Sequence, residues 1–150
     1  MKILNEFRCS FPADSANEGL ARATLSAFLI PADPTAQELA DLRTVISEAV
    51  TNAIVHGYRG REGVVSVCLR MLPDRVVYLR VSDKGCGIPD VSKAMEPLYT
   101  TAPEEDRAGL GFAIMQTFTD SLQVRSIPDH GTTLTMRRKL RGRDEGNADG

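Results

Sequence analysis

Apolar and polar positions change their spacing several times along the chain, and each change marks an element. Phe7, Cys9 and Phe11 alternate with polar residues, which predicts a first strand. "SANE" at 15–18 is a capping box and predicts a helix running to about Leu29. Pro31 and Pro34 then mark a turn. "TAQE" at 35–38 is a second capping box. Behind it Leu39, Leu42, Val45, Ile46, Ala49, Val50 and Ala53 recur at helical spacing, and Gly57 is placed to end that helix. "VVSVCLRML", the turn "PDR" and "VVYLRVS" predict an antiparallel hairpin.

"DKGCGIPD" breaks the pattern with two glycines and a proline, so a loop is expected, with a short helix over 91–95. Residues 96–110 have little periodicity. Residues 111–119 read as a helix with Phe112, Met115 and Phe118 (or Ile114) on its apolar side. "SLQVRS" and "TTLTMRRKL" predict two strands joined by "IPDHG". Strands and helices follow without strict alternation, which predicts an α+β fold: a two-layer α/β sandwich with a mixed sheet and its helices on one face. Residues 1–140 fit one domain, and the polar, glycine-rich 141–150 reads as a disordered tail.

Composition removes several classes of function. A net charge of -2 argues against a global basic field for nucleic acid. No apolar run is long enough for a bilayer, and "MKILNEFRCSF" lacks a signal-peptide core. The three cysteines have no C-x-x-C spacing, which suits a reducing cytoplasm better than disulfides or zinc. Cys9 and Cys68 read as small buried apolar residues. The run "RRKLRGR" reads as a solvated edge.

Three segments carry candidate chemistry. In "SEAVTNAIVHGY", Glu48 and Asn52 stand one helical turn apart and share a face. An amide oxygen there can complete the shell of a magnesium ion on phosphates, and a carboxylate beside it can accept a proton. From these residues alone, a solvent-facing Glu48 and a helix-capping Asn52 fit equally well. In "SDKGCGIPD", Asp83 ends a strand, and Gly85 and Gly87 let the backbone approach a ligand. A buried aspartate can accept from an exocyclic amine such as adenine's. In "DRAGLGFAIM", Gly109 and Gly111 are expected to open a helix whose free N–H groups meet phosphates, with Arg107 upstream to pair with the outermost one. No G-x-x-x-x-G-K-[ST] loop exists.

The order of these segments resembles the Bergerat-fold ATP-binding superfamily of gyrases, chaperones, histidine kinases and mismatch-repair ATPases. Asn52 falls on its N box, 83–87 on the first glycine box, 109–111 on the second, and "GTTL", with Thr132 and Thr133, on its last nucleotide-contacting segment. "NEGLARAT", "LRTVISEAVTNAIVHGY", "EPLYTTAPEEDRAGLGFAIM" and "HGTTLTM" narrow the resemblance to the anti-sigma F family of sporulation serine kinases, over about residues 7–140. The resemblance implies ATP or ADP with Mg2+ as cofactors and Glu48 as general base. Asn52 would be the magnesium ligand and Asp83 the reader of adenine. Arg107 would reach the terminal phosphate from a lid over 97–108. Gly85, Gly87, Ile88, Thr101, Gly109, Leu110, Gly111, Phe112, Thr132 and Thr133 would complete the nucleotide contacts. Glu18 and Arg22 would meet protein partners: a sigma factor, and an anti-anti-sigma factor phosphorylated on serine. A homodimer is implied as well.

Other classes compete with this one. A histidine kinase fragment would need a phospho-accepting histidine on a helix before strand one, and His56 reads better as packing at a helix end. A gyrase-type clamp would need a following transducer domain. A sigma-sequestering module without catalysis would have no use for Glu48. Cys86, between the glycines of the adenine loop, is expected to react with thiol reagents more slowly when nucleotide is bound.

Overall fold

The computed structural model describes residues 2–95 and 103–142; for 103–109 only the backbone is described. Strand β1 (Asn5–Pro12) leads into helices α1 (Asn17–Leu29) and α2 (Ala36–Thr51). The α2 backbone continues without a break as a π-helical segment, Asn52–Tyr58. The hairpin β2 (Val64–Leu72) and β3 (Val76–Asp83) follows. A short α3 (Val91–Ala94), the helix α4 (Pro103–Phe118) and a second hairpin, β4 (Ser121–Ile127) and β5 (Gly131–Lys139), complete the described chain.

The five strands form one sheet in the order β1-β2-β3-β5-β4. Every neighbouring pair is antiparallel, which corrects the expectation of a mixed sheet. The reason lies in the connection between β1 and β2. Two helices in succession carry the chain down and back, so β2 starts at the end where β1 finished. Val65, Val67 and Leu69 of β2 and Val77, Leu79 and Val81 of β3 project to the helical layer. There they meet Leu25 and Leu29 of α1, Leu42, Val45, Ile46 and Ala49 of α2, and Phe112 and Met115 of α4. Fully burying each of these side chains except that of Ala49 contributes roughly 1.5–3 kcal/mol. Among the described residues no helix is long and apolar enough to cross a membrane.

Helix starts match the expectation in one case and depart from it in two. Thr35 and Glu38 form the expected reciprocal cap on α2. The other expected box does not form. The α1 cap position is Ala16, without a side-chain bond, because the Glu18 carboxylate accepts from Arg22 and from Ser47 on α2 instead. Helix α4 starts at Pro103, well before the expected 111. Proline is favoured at the first helical position and acidic residues in the first turn, and "PEED" supplies both. Gly57 does not end α2: the helical path runs on to Tyr58, and Arg59 takes the left-handed cap at φ 52°. Of the expected tail, Arg141 and Gly142 donate backbone N–H groups to Glu38, and 143–150 lie outside the described residues.

Candidate functional site

The helical run from Glu48 through Asn52 to Gly57 lines one side of the candidate site. At about 1.5 Å per residue, its ends stand roughly 13 Å apart. Glu48 and Asn52 share a face, as expected for one turn. Glu48 is half-buried, and a Cβ added at Gly111 on α4 would stand 3.1 Å from its Oε2, so α4 passes close over it. Burial raises the Glu48 pKa, with a further push from the Glu18 carboxylate. Asn52 is 8% exposed. Among the described residues no side chain hydrogen-bonds the Asn52 amide or the Glu48 carboxylate. A cation holding phosphates suits that pair: Asn52 offers an oxygen already withdrawn from bulk water, beside a carboxylate.

At the far end of the run stands Asp83, 7% exposed. Burial raises its pKa, partly offset by hydrogen bonds from the Gly85 and Thr132 backbone N–H groups; Gly85 N lies 2.9 Å from Oδ1. Two close approaches build the pocket around this carboxylate. A Cβ at Gly57 would meet Asp83 Cγ and Oδ1 at 2.9 Å, and one at Gly85 would meet the Gly57 carbonyl oxygen at 2.2 Å. The π-helical path delivers Gly57 here, and π turns recur at functional sites. Gly87, with φ at +74°, turns the loop against Ile127.

The loop is pinned on three sides. Cys86 N donates to Gly57 O at 2.9 Å, Cys86 Sγ to His56 O at 3.2 Å, and Asp129 N to Cys86 O at 2.7 Å. Ile88 N donates to Ser126 Oγ at 2.7 Å, and Ser126 Oγ lies 2.8 Å from Thr132 Oγ1. Tyr58 Oη accepts from Lys84 N at 2.8 Å and donates to Val64 O at 2.7 Å, closing the floor.

Several expected nucleotide residues are thus brought together: Asp83, Gly85, Gly87, Ile88 and Thr132 at one end, Glu48, Asn52 and Gly111 at the other. Thr132 pairs with Asp83 in register and is buried. Its neighbour Thr133 pairs with Ser82 and faces the other side of the sheet, so its side chain does not join the site. Phe112 is 1% exposed in the core, and Leu110 is 51% exposed. Gly109 and Gly111 lie in the middle of α4 and do not open it, so their N–H groups fall within the helix. Thr101 and the Arg107 side chain lie outside the described residues. Gly57, Tyr58 and Ser126 were not expected here. Gly57 has a sequence signal, a glycine inside a helical pattern, but a helix end explains that signal equally well.

Glu18 and Arg22 sit on α1 against α2, where Glu18 Oε1 accepts from both Arg22 and Ser47 Oγ. Arg22 and Ser47 line a recess of about 360 Å³ with Arg43 and Thr44. Ser47 precedes Glu48, so this surface borders the Glu48 end of the site.

The comparisons with known proteins agree with this geometry. A model of the histidine kinase-like ATPase domain matches residues 11–138. The chain is 46% identical over 136 residues to an anti-sigma F factor of Clostridium perfringens, spanning 91% of this chain and 97% of that one. It is 47% identical over 137 residues to one from Bacillus licheniformis, spanning 91% and 93%. Among solved structures, the RsbU and RsbW domains of a Mycobacterium tuberculosis protein superpose with a TM-score of 0.63 at 22% identity, over 91% of this chain and 32% of that one. The histidine kinase domain of a blue-light activated histidine kinase from Erythrobacter litoralis gives 0.52 at 22% identity, over 69% and 45%. This chain spans less than half of either solved protein, and at that identity the likeness concerns the fold. The chain belongs to the histidine kinase-like ATPase domain family and groups within it with the anti-sigma F factors.

Proposed function

We propose that the chain is an ATP-dependent protein serine kinase that also binds a sporulation sigma factor and holds it inactive, its phosphorylation substrate being an anti-anti-sigma factor. The observation that carries this reading is Glu48: a half-buried carboxylate with raised basicity and no hydrogen-bond donor among the described side chains, one turn from Asn52. Binding a nucleotide needs no such group, whereas taking a proton from a serine hydroxyl does. Asp83 would accept from the adenine amine while Gly57 and Gly85 leave room for the ring. Asn52 would hold magnesium, which when bound neutralises charge on the phosphates. Phosphoryl transfer asks chiefly for such positioning. The raised pKa of Glu48 brings its basicity closer to working pH. The surface of Glu18 and Arg22 would receive the partners, delivering the serine beside Glu48. The sequence resemblance adds a homodimer and a cytoplasmic setting.

The test is incubation of the purified chain with Mg-ATP and an anti-anti-sigma protein, read by mass spectrometry, with sigma capture measured in parallel. The reading expects phosphate on one serine and preference for ATP over GTP. Sigma capture with no phosphoryl transfer would leave a sequestering module. Equal binding of ATP and GTP would remove the adenine role of Asp83.

A further inference from the structure

The face of the sheet turned away from the helices carries chemistry that the proposed kinase does not use. Three arginines on it have a visible partner. Arg70 and Arg137 lie over the Tyr78 ring, 4.9 and 5.7 Å from its centroid. Arg8 and Arg70 each meet the Glu6 carboxylate, at 2.9 and 2.6 Å. Arg80, on β3 in the middle of the sheet, is half-buried and has no acidic partner among the described residues.

Strand register places Arg80 in one row with Cys68 and Arg8. The two arginines are two strand spacings apart, roughly 10 Å between Cα atoms, so their forks can converge over the residue between them. One step along the strands, Ser10, Ser66 and Ser82 form a second row. These side chains line a pocket of about 330 Å³ with buried Cys68. No carboxylate lines it. The wall therefore offers two guanidinium groups and three hydroxyl donors to whatever enters, in a chain whose net charge is -2.

We propose that this pocket binds a phosphate monoester dianion, free or carried on a protein serine, at a site separate from the nucleotide site. Guanidinium forks match phosphate oxygens in pairs, and such charge-assisted bonds are about twice as strong as neutral ones. Hydroxyls on the adjacent row supply the remaining donors. Arg8 would be shared between Glu6 and the ligand, which leaves Arg80 as the principal anchor.

The experiment is an NMR titration of the whole chain saturated with Mg-ADP, so that the nucleotide site is filled. The probes are inorganic phosphate, a short phosphoserine peptide, the same peptide without phosphate, and chloride at matched ionic strength. Saturable shifts are expected in the amides of 8–10, 66–68 and 80–82 with the two phosphate probes only. Arg80→Gln should weaken binding about tenfold or more, Arg80→Lys less, because charge remains without the fork. Arg125→Gln, on the same face but outside the pocket, should change nothing. Retention of the parent spectrum in Arg80→Gln confirms that a loss is local. A tighter phosphoserine peptide assigns the ligand to a phosphoprotein, and equal affinities assign it to free phosphate. Shifts that survive Arg80→Gln, or that chloride reproduces, overturn the proposal. So does an Arg80→Gln variant that loses self-association while the parent ignores phosphate, which would give this face to a second copy.

Discussion

Glu38 and Glu48 lie ten residues apart on helix α2, and their surroundings differ in kind. Glu38 is 5% exposed. Burial alone would raise its pKa, but it accepts from Thr35 N at 2.9 Å, Arg141 N at 2.6 Å and Gly142 N at 3.3 Å, and the net pKa is lowered. Asp41, one turn on, is likewise paired, with Gln37 at 2.7 Å and Arg138 at 3.1 Å. Glu48 receives no donor from the described side chains, and burial holds its pKa above the usual carboxylate value. The early half of α2 also has the favourable end of the helix dipole, which Glu48 lacks. The comparison teaches where this fold uses charge for stability and where it leaves a carboxylate available for chemistry. A charge kept at a cost to stability is where function should be sought.

Four substitutions and one labelling experiment press on this contrast. The largest effect is expected from Glu48→Gln, which should slow partner phosphorylation by about 10²–10⁴-fold, the range for a lost general base, while calorimetry finds Mg-ATP affinity nearly unchanged. A normal rate would remove Glu48 from the chemistry. Next, Asp83→Asn should weaken ATP binding by roughly 1–3 kcal/mol, the cost of a mispaired buried polar group. Asn52→Ala should lower affinity and rate together, unlike Glu48→Gln. Gly57→Ala should also weaken ATP binding, by about 1–3 kcal/mol, since its Cβ would stand 2.9 Å from the Asp83 carboxyl and push it aside. An unaltered affinity in calorimetry would show that Asp83 does not depend on that approach. The smallest effect concerns Cys86, whose Sγ donates to His56 O at the Asp83 end of the site. Alkylation should be slow in the free protein and a few-fold slower with ATP, read by mass spectrometry of the labelled thiol.

Much of the fold was legible because periodicity and hairpin chemistry are local. The β2–β3 hairpin, the Thr35–Glu38 cap and the short α3 lie where spacing places them. What failed was decided by tertiary contact. Glu18 abandons a capping box because Ser47 and Arg22 offer better donors, and only the packing of α1 on α2 brings Ser47 near. Gly57 carries the signature of a helix end, yet its role comes from Asp83, reached across the chain. Helix α4 was legible in "PEED", but the glycines behind it drew the boundary to 111 instead. For the site, Glu48, Asn52 and Asp83 were readable as residue types at meaningful spacing. Ser126 carried no local signal, since a serine in a strand reads as a solvent-facing position.

The most direct test of the contrast along α2 is the melting temperature of Glu38→Gln and Glu48→Gln from pH 8 down to pH 3. Glu38, with its lowered folded pKa, contributes stability above the ordinary value of 4.5 and loses it as pH falls through the folded value. Glu48, with its raised folded pKa, favours the folded state only below 4.5 and opposes it as pH rises through the folded value. At pH 7, Glu38→Gln should therefore melt well below the parent, by about 1–3 kcal/mol of lost stability. Glu48→Gln should melt at or above the parent. Both differences should shrink as the carboxylates protonate. Equal destabilisation of the two variants at pH 7 would contradict the account, because Glu48 would then be a structural carboxylate like Glu38.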